Sequence, residues 1–222
     1  MRILALDIGT GTQDILLFDS SLEIENCPKL VVPSATAIVA QRIRQATARR
    51  RPLLLTGATM GGGPSYWALD AHLKAGRPAF ATPDAARSFN DELPIVESWG
   101  VKILSEDEAK TWPDGQRVEL RDLDVAAVLK ALSVFGVEAH LDGLAVAVLD
   151  HGAAPPGVSD RKFRFDYLQR TVAAQNDLYA FAYLAPEVPP YLTRMQAVAA
   201  TAPEDLPLLL LDTGPAAALG AR

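Results

Sequence analysis

The segment Arg2-Ile-Leu-Ala-Leu-Asp7-Ile-Gly9-Thr10-Gly11-Thr12-Gln13-Asp14-Ile-Leu-Leu-Phe-Asp19 sets an apolar run, a Gly/Thr turn and a second apolar run in immediate succession. That order limits what the chain can build. A dinucleotide-binding βαβ unit needs its glycines to open a helix, whose N-terminus receives the pyrophosphate. Here a short β-rich run follows Thr12 and ends in the turn residues Asp19-Ser20-Ser21, so the segment reads as a β-hairpin. A Walker loop is excluded as well, because no Gly-Lys-Ser/Thr occurs in the chain. Such a hairpin has two uses. Its glycines can simply supply the positive φ of a tight turn. They can also bring the backbone N–H groups of Gly9 to Gln13 close to an anion, with the Thr10 and Thr12 hydroxyls as further donors. Asp7 is then placed to hold a magnesium ion through water.

Size and charge narrow the remaining choices. The 222 residues are 49% hydrophobic and 22% charged, enough for a substantial core, and they read as one α/β domain over 1–222. Acids outnumber bases 27 to 21, for a net charge of −6, which argues against an extended nucleic-acid surface. Asp7 interrupts the first apolar run too early for a signal peptide, and no run is long enough to span a bilayer. The expectation is a cytoplasmic protein with no membrane partner. Its one cysteine, Cys27, cannot make an intrachain disulfide and reads as a small buried apolar residue. His72, His140 and His151 lack paired metal-ligand spacing.

Strand and helix patterns alternate along the chain. Lys29 to Pro33 reads as a third strand, and Ser34 as the cap of a helix with Ala35, Val39, Ile43 and Ala46 on one face. Leu53 to Gly57 is a short buried strand. It leads into Thr59, Gly61, Gly62 and Gly63 and a helix from Ser65 to Leu73, so this glycine loop is either an anion site or a flexible change of direction. Strands are expected at 77–82, 101–104 and 117–120, with a short helix from Asp84 to Phe89 and a turn at Pro113-Asp114-Gly115. Trp99 and Trp112 read as packing residues. Asp124 and Gly136 bracket a helix with Val125, Val128, Leu129, Leu132 and Phe135 on one side. Leu144 to Leu149 is apolar throughout, as for a strand covered on both faces. It delivers Asp150 and His151 into a Gly/Pro loop at a strand's carboxyl end, where α/β sheets gather ligands. Asp150 can orient a nucleophile, act as a base or help hold a metal, and His151 can carry a proton or bind phosphate; the alternative is a loop cap and an exposed rim residue. The run from Arg161 to Tyr167 reads as an aromatic face with solvated charges just before a helix that reaches Asn176. A helix near Tyr191 to Ala199, a strand at 208–211 and an Ala-rich helix close the chain.

Three resemblances attach to these strings. Asp7-Ile-Gly-Thr-Gly-Thr12 resembles the first phosphate motif of the superfamily of actin, heat-shock chaperone ATPases, and sugar and acetate kinases. Asp212-Thr-Gly-Pro-Ala-Ala-Ala-Leu-Gly220 is similar to the helix that closes the first domain in the heat-shock branch. Thr56 to Ser65, Asp150 to Asp160 and the following Phe-Arg-Phe-Asp-Tyr-Leu, with the opening, resemble an uncharacterised prokaryotic family labelled as pyruvate-formate-lyase activating enzymes. The first two imply a mixed sheet that starts with a hairpin and is flanked by helices, the first lobe of an actin-like (ribonuclease H-like) ATPase. They also imply ATP and magnesium as cofactors, and a second lobe or a homodimer partner to complete the site. The superfamily's kinases often carry a basic residue just after the phosphate turn, where this chain has Gln13 and Asp14. The third label implies radical chemistry, for which an iron–sulfur cluster needs three cysteines; Cys27 alone does not supply them. The expectation is therefore half of an ATP-dependent phosphotransferase or ATPase, or a ligand-binding or assembly protein built on the same lobe.

Overall fold

In a computed structural model of the chain, the first two strands form the expected hairpin. Residues 1–59, 62–113, 115–138, 140–155 and 157–221 are described. The elements run β1 (Arg2–Ile8), β2 (Thr12–Asp19), β3 (Lys29–Pro33), α1 (Ala35–Ala48), β4 (Leu53–Ala58), α2 (Gly63–Lys74), β5 (Ala79–Ala81), α3 (Pro83–Arg87), α4 (Leu93–Ser98) and β6 (Val101–Ile103). They continue with α5 (Glu106–Thr111), β7 (Gln116–Arg121), α6 (Val125–Val134), β8 (Gly143–Val148), α7 (Asp160–Gln175), β9 (Ala182–Leu184), α8 (Thr193–Thr201), β10 (Leu208–Asp212) and α9 (Thr213–Gly220). These elements gather into two compact units. One comprises Met1–Gly9, Gln13–Val32 and Leu123–Arg222, the other Thr10–Thr12 and Pro33–Asp122.

The first unit holds a six-stranded mixed sheet in the order β3-β2-β1-β8-β10-β9. β1 is antiparallel to β2 and parallel to β8, β10 is parallel to β8, and β9 runs antiparallel on the edge. Alternation along the strands sorts the side chains by face. Leu4, Leu6, Ile8, Ile15, Leu17, Val146, Val148 and Leu210 join a core with Val128 and Leu132 of α6, Tyr167 of α7, and Met195 and Val198 of α8. The opposite face carries Ala5, Leu16, Ala145, Ala147, Leu209 and Leu211, which line a groove of about 460 Å³. The expectation that β8 is covered on both faces fails here. Only its Leu144, Val146 and Val148 side is buried, and the alternate positions are alanines on the floor of the groove.

The second unit is a parallel four-stranded sheet in the order β6-β5-β4-β7. Leu53, Leu54 and Leu55 of its central β4 are all fully buried, as a parallel strand covered on both sides requires. Ser34 caps α1 by accepting the Ala37 N–H at 3.2 Å, and Val39, Ala40, Ile43 and Ala46 pack into the core with Ala68 and Leu69 of α2. Gly57 has φ +71°, and a β-carbon there would run into the Leu120 carbonyl oxygen, so only glycine lets β4 approach β7 so closely. Trp99 packs edge-on against Tyr66 at 5.3 Å, and Trp112 against Phe80 at 5.5 Å, so both serve packing.

Candidate functional site

The β1–β2 ladder ends with Ile8 opposite Gln13, which leaves Gly9, Thr10 and Gly11 outside either strand. The tip is tied down. The Thr10 carbonyl accepts the Ser34 and Thr36 hydroxyls, each at 2.6 Å, and the Gly11 carbonyl accepts the Ser34 N–H at 3.1 Å. Both hydroxyls are buried, so the cap of α1 also fixes the turn. Gln13 is buried on the helix-covered side of the sheet, the side of Ile15 and Leu17, rather than being presented at the turn.

The second glycine stretch comes to the same place. α2 opens at Gly63 (φ +55°) behind Gly62 (φ +87°), and a β-carbon on Gly63 would lie 2.9 Å from Thr10 Cγ2. The N-terminus of α2 and the hairpin tip are therefore neighbours. The Thr59 N–H donates to Ser88 Oγ at 3.0 Å, while its own hydroxyl is buried and has no hydrogen-bond partner among the described residues. Gly61, the remaining candidate of this loop, lies outside the described residues.

Asp7 is exposed near the end of β1, and the Thr213 hydroxyl donates to its Oδ1 at 3.3 Å. Asp14 stands directly across the ladder and lines the same groove. Partial burial raises the Asp7 pKa above the usual carboxylate range, the Thr213 bond opposes that shift, and the Asp14 charge adds to it. Among the described residues, no group of three or more His, Cys, Asp or Glu is arranged to hold a metal. A magnesium ion at Asp7 would draw the rest of its shell from water and ligand oxygens, as this ion ordinarily does.

Asp150 is placed otherwise than an accessible catalyst would be. It is 1% exposed, its Oδ1 accepts the Gly152 N–H at 2.8 Å, and its Oδ2 accepts the Arg194 and Met195 N–H groups, both at 2.9 Å. It fastens the loop after β8 to the start of α8. Burial raises its pKa, with the three N–H bonds and Arg194 acting in the opposite sense. His151 is exposed on the loop so anchored. Asp212, the last of β10, enters the sequence reading only within the closing-helix motif, and its role as an anchor was not expected. It is 1% exposed, accepts the Gly214 N–H at 2.9 Å at the start of α9, and pairs with Arg164 at 2.6 Å. Asp-Thr-Gly ahead of an Ala-rich run was the available signal for such a cap.

No helix among the described residues is long and apolar enough to cross a membrane. No curated protein and no solved structure matches the chain. A family model does match, over residues 60–222, and its description reads "Putative pyruvate format-lyase activating enzyme (DUF1786)". That span takes in α2, the Asp150 loop and the closing helix, and the chain belongs to this family.

Proposed function

We propose that the chain is an actin-like phosphate-binding lobe, which takes the phosphates of a magnesium nucleotide at the hairpin turn and serves phosphoryl transfer or ATP hydrolysis. The observation that carries this reading is the meeting of two glycine-rich anion candidates, the Thr10 turn and the α2 N-terminus, at one spot. A mixed sheet that opens on an antiparallel hairpin supports the actin-like part of the reading. N–H groups and hydroxyls from the turn, with the positive end of α2, would neutralise phosphate oxygens. Asp7, steadied by Thr213 and facing the like charge of Asp14 across the ladder, would hold magnesium. Such a lobe contributes by positioning and charge stabilisation. His151 is the candidate proton carrier, and Asp150 sets the loop that presents it.

The radical chemistry that an activating-enzyme label implies does not fit these residues. A cluster needs several thiolates, and Cys27 is single, 4% exposed and engaged with the Asp19 backbone. The test is calorimetric titration of the full chain with ATP and with tripolyphosphate, with and without magnesium. Magnesium-dependent binding of both is expected, weakened about tenfold or more by Asp7→Asn and by Gly63→Ala, with far-UV spectra to confirm folding. Binding indifferent to magnesium and to both substitutions would sink the proposal, as would no binding at all. The uncovered sheet face favours a second reading, an assembly module without turnover; a concentration-independent monomer in sedimentation would remove it.

A further inference from the structure

Phe163, Tyr167, Arg170 and Thr171 share one face of α7 and, with Tyr183 of β9 and Tyr191 before α8, line a cleft of about 620 Å³. Small-molecule sites span about 300–1,000 Å³. We propose that this cleft binds a small planar aromatic carboxylate, at a site separate from the nucleotide reading and not dependent on it. The Tyr191 ring meets Phe163 at 6.0 Å and Tyr167 at 5.8 Å, both edge to face, so the walls are rings already braced against one another. The Tyr167 and Tyr183 hydroxyls share a hydrogen bond of 2.7 Å, which sets two phenolic oxygens together in the lining.

Arg170 decides the charge of the ligand. An enclosure of aromatic rings alone would suit a quaternary ammonium group, but a guanidinium in the lining repels one and attracts a carboxylate. Arg170 is exposed, and its Nε donates to the Asp166 carbonyl at 3.1 Å. Burial and the neighbouring Tyr183 raise the Tyr191 pKa and keep its phenol protonated, while the Arg170 charge acts in the opposite sense, which puts cation and phenol on the same part of the cleft. A flat ring therefore finds aromatic surface and its acid group finds the guanidinium. The cleft is built onto the loop that leaves β8. Ala153 N–H donates to the Tyr191 carbonyl at 2.7 Å, and a β-carbon at Gly152 would strike the Phe163 ring. The cleft's Phe163 and Tyr191 end thus lies beside the carboxyl end of β8, where α/β proteins collect ligands.

The test is calorimetric and NMR titration of the full chain with benzoate, 4-hydroxybenzoate, cyclohexanecarboxylate and choline, each to about 10 mM. Both aromatic acids should bind and shift the Tyr183 and Tyr191 ring resonances, the cyclohexane acid should bind more weakly, and choline should not bind. Arg170→Gln should weaken benzoate about tenfold or more, while Arg161→Gln, on the same helix outside the cleft, should leave it unchanged. Choline binding more tightly than benzoate, equal affinity in Arg170→Gln, or no aromatic acid bound at the highest concentration would each overturn the proposal. Arg170 is at the surface, so a thermal melt matching the parent's separates a lost contact from a lost fold.

Discussion

Asp7 carries an electrostatic cost in the resting protein, because burial and the facing Asp14 both disfavour its charged form. A carboxyl whose pKa is raised on folding binds more protons folded than unfolded, so folding stability falls as pH rises from the unfolded value of about 3.9 through the raised one. Asp7→Asn should therefore make the chain more stable at pH 7 and change little at pH 3, as read by urea denaturation at the two values. Under the proposed reading the same titration controls magnesium, whose affinity should rise with pH through that window and lose this dependence in the variant. Burial raises the Asp150 pKa as well, but there the three backbone N–H groups its oxygens accept decide the outcome. An amide there would turn an N–H donor toward backbone N–H donors, so Asp150→Asn should destabilise by about 1–3 kcal/mol in the same assay. The sequence showed where Asp150 and His151 would emerge, at the end of an apolar strand. It could not show that the carboxylate is consumed by N–H groups of Arg194 and Met195, because those partners arrive from a helix far along the chain.

Elements with a strong local code were readable, and those whose code was interrupted were not. Ser34 and the periodic apolar residues after it gave α1, and Asp124 gave α6 through its bond to the Ala127 N–H. α5 was missed although Ser105 and Glu108 form a reciprocal capping box, because six residues carry too little periodicity to show against the flanking turn. The two strands expected there are present as β6 and β7, at opposite edges of a parallel sheet, and Asp114 of the turn expected between them lies outside the described residues. Phe135 was placed on the buried side of α6 by spacing, yet it caps the helix and is 75% exposed. The aromatic run from Phe163 to Tyr167 belongs inside α7 rather than ahead of it. The tie between the start of α1 and the Thr10 turn yields a prediction at this scale. Ser34→Ala removes both a cap and a tether of the Thr10 carbonyl, and should cost about 1–2 kcal/mol in denaturant melts. Thr36→Val keeps the cap and should weaken nucleotide binding more than stability if the turn must be held to receive phosphate.

The sequence offered no boundary between the two units, since neither a linker of distinctive composition nor a charge run marks one. The second unit is almost wholly the stretch from Pro33 to Asp122, inserted between β3 and the remaining strands of the six-stranded sheet. It has its own core, in which the buried faces of β4 and β7 meet α1 and α2. A fragment of residues 33–122 should therefore show a single cooperative urea transition by circular dichroism. The register of β1 has a consequence in time. Ile3 sits beside Gly143, and Leu4 beside Leu144, so the first strand made by the ribosome waits for one made much later. Meanwhile every strand of the inserted sheet has already emerged. Synthesis should then finish the insertion first, leaving the opening hairpin with a bare edge while translation proceeds, a state open to mispairing between nascent chains. Protease challenge of ribosome-bound chains stalled with residue 122 just outside the exit tunnel should find the insertion protected and β1 still cut.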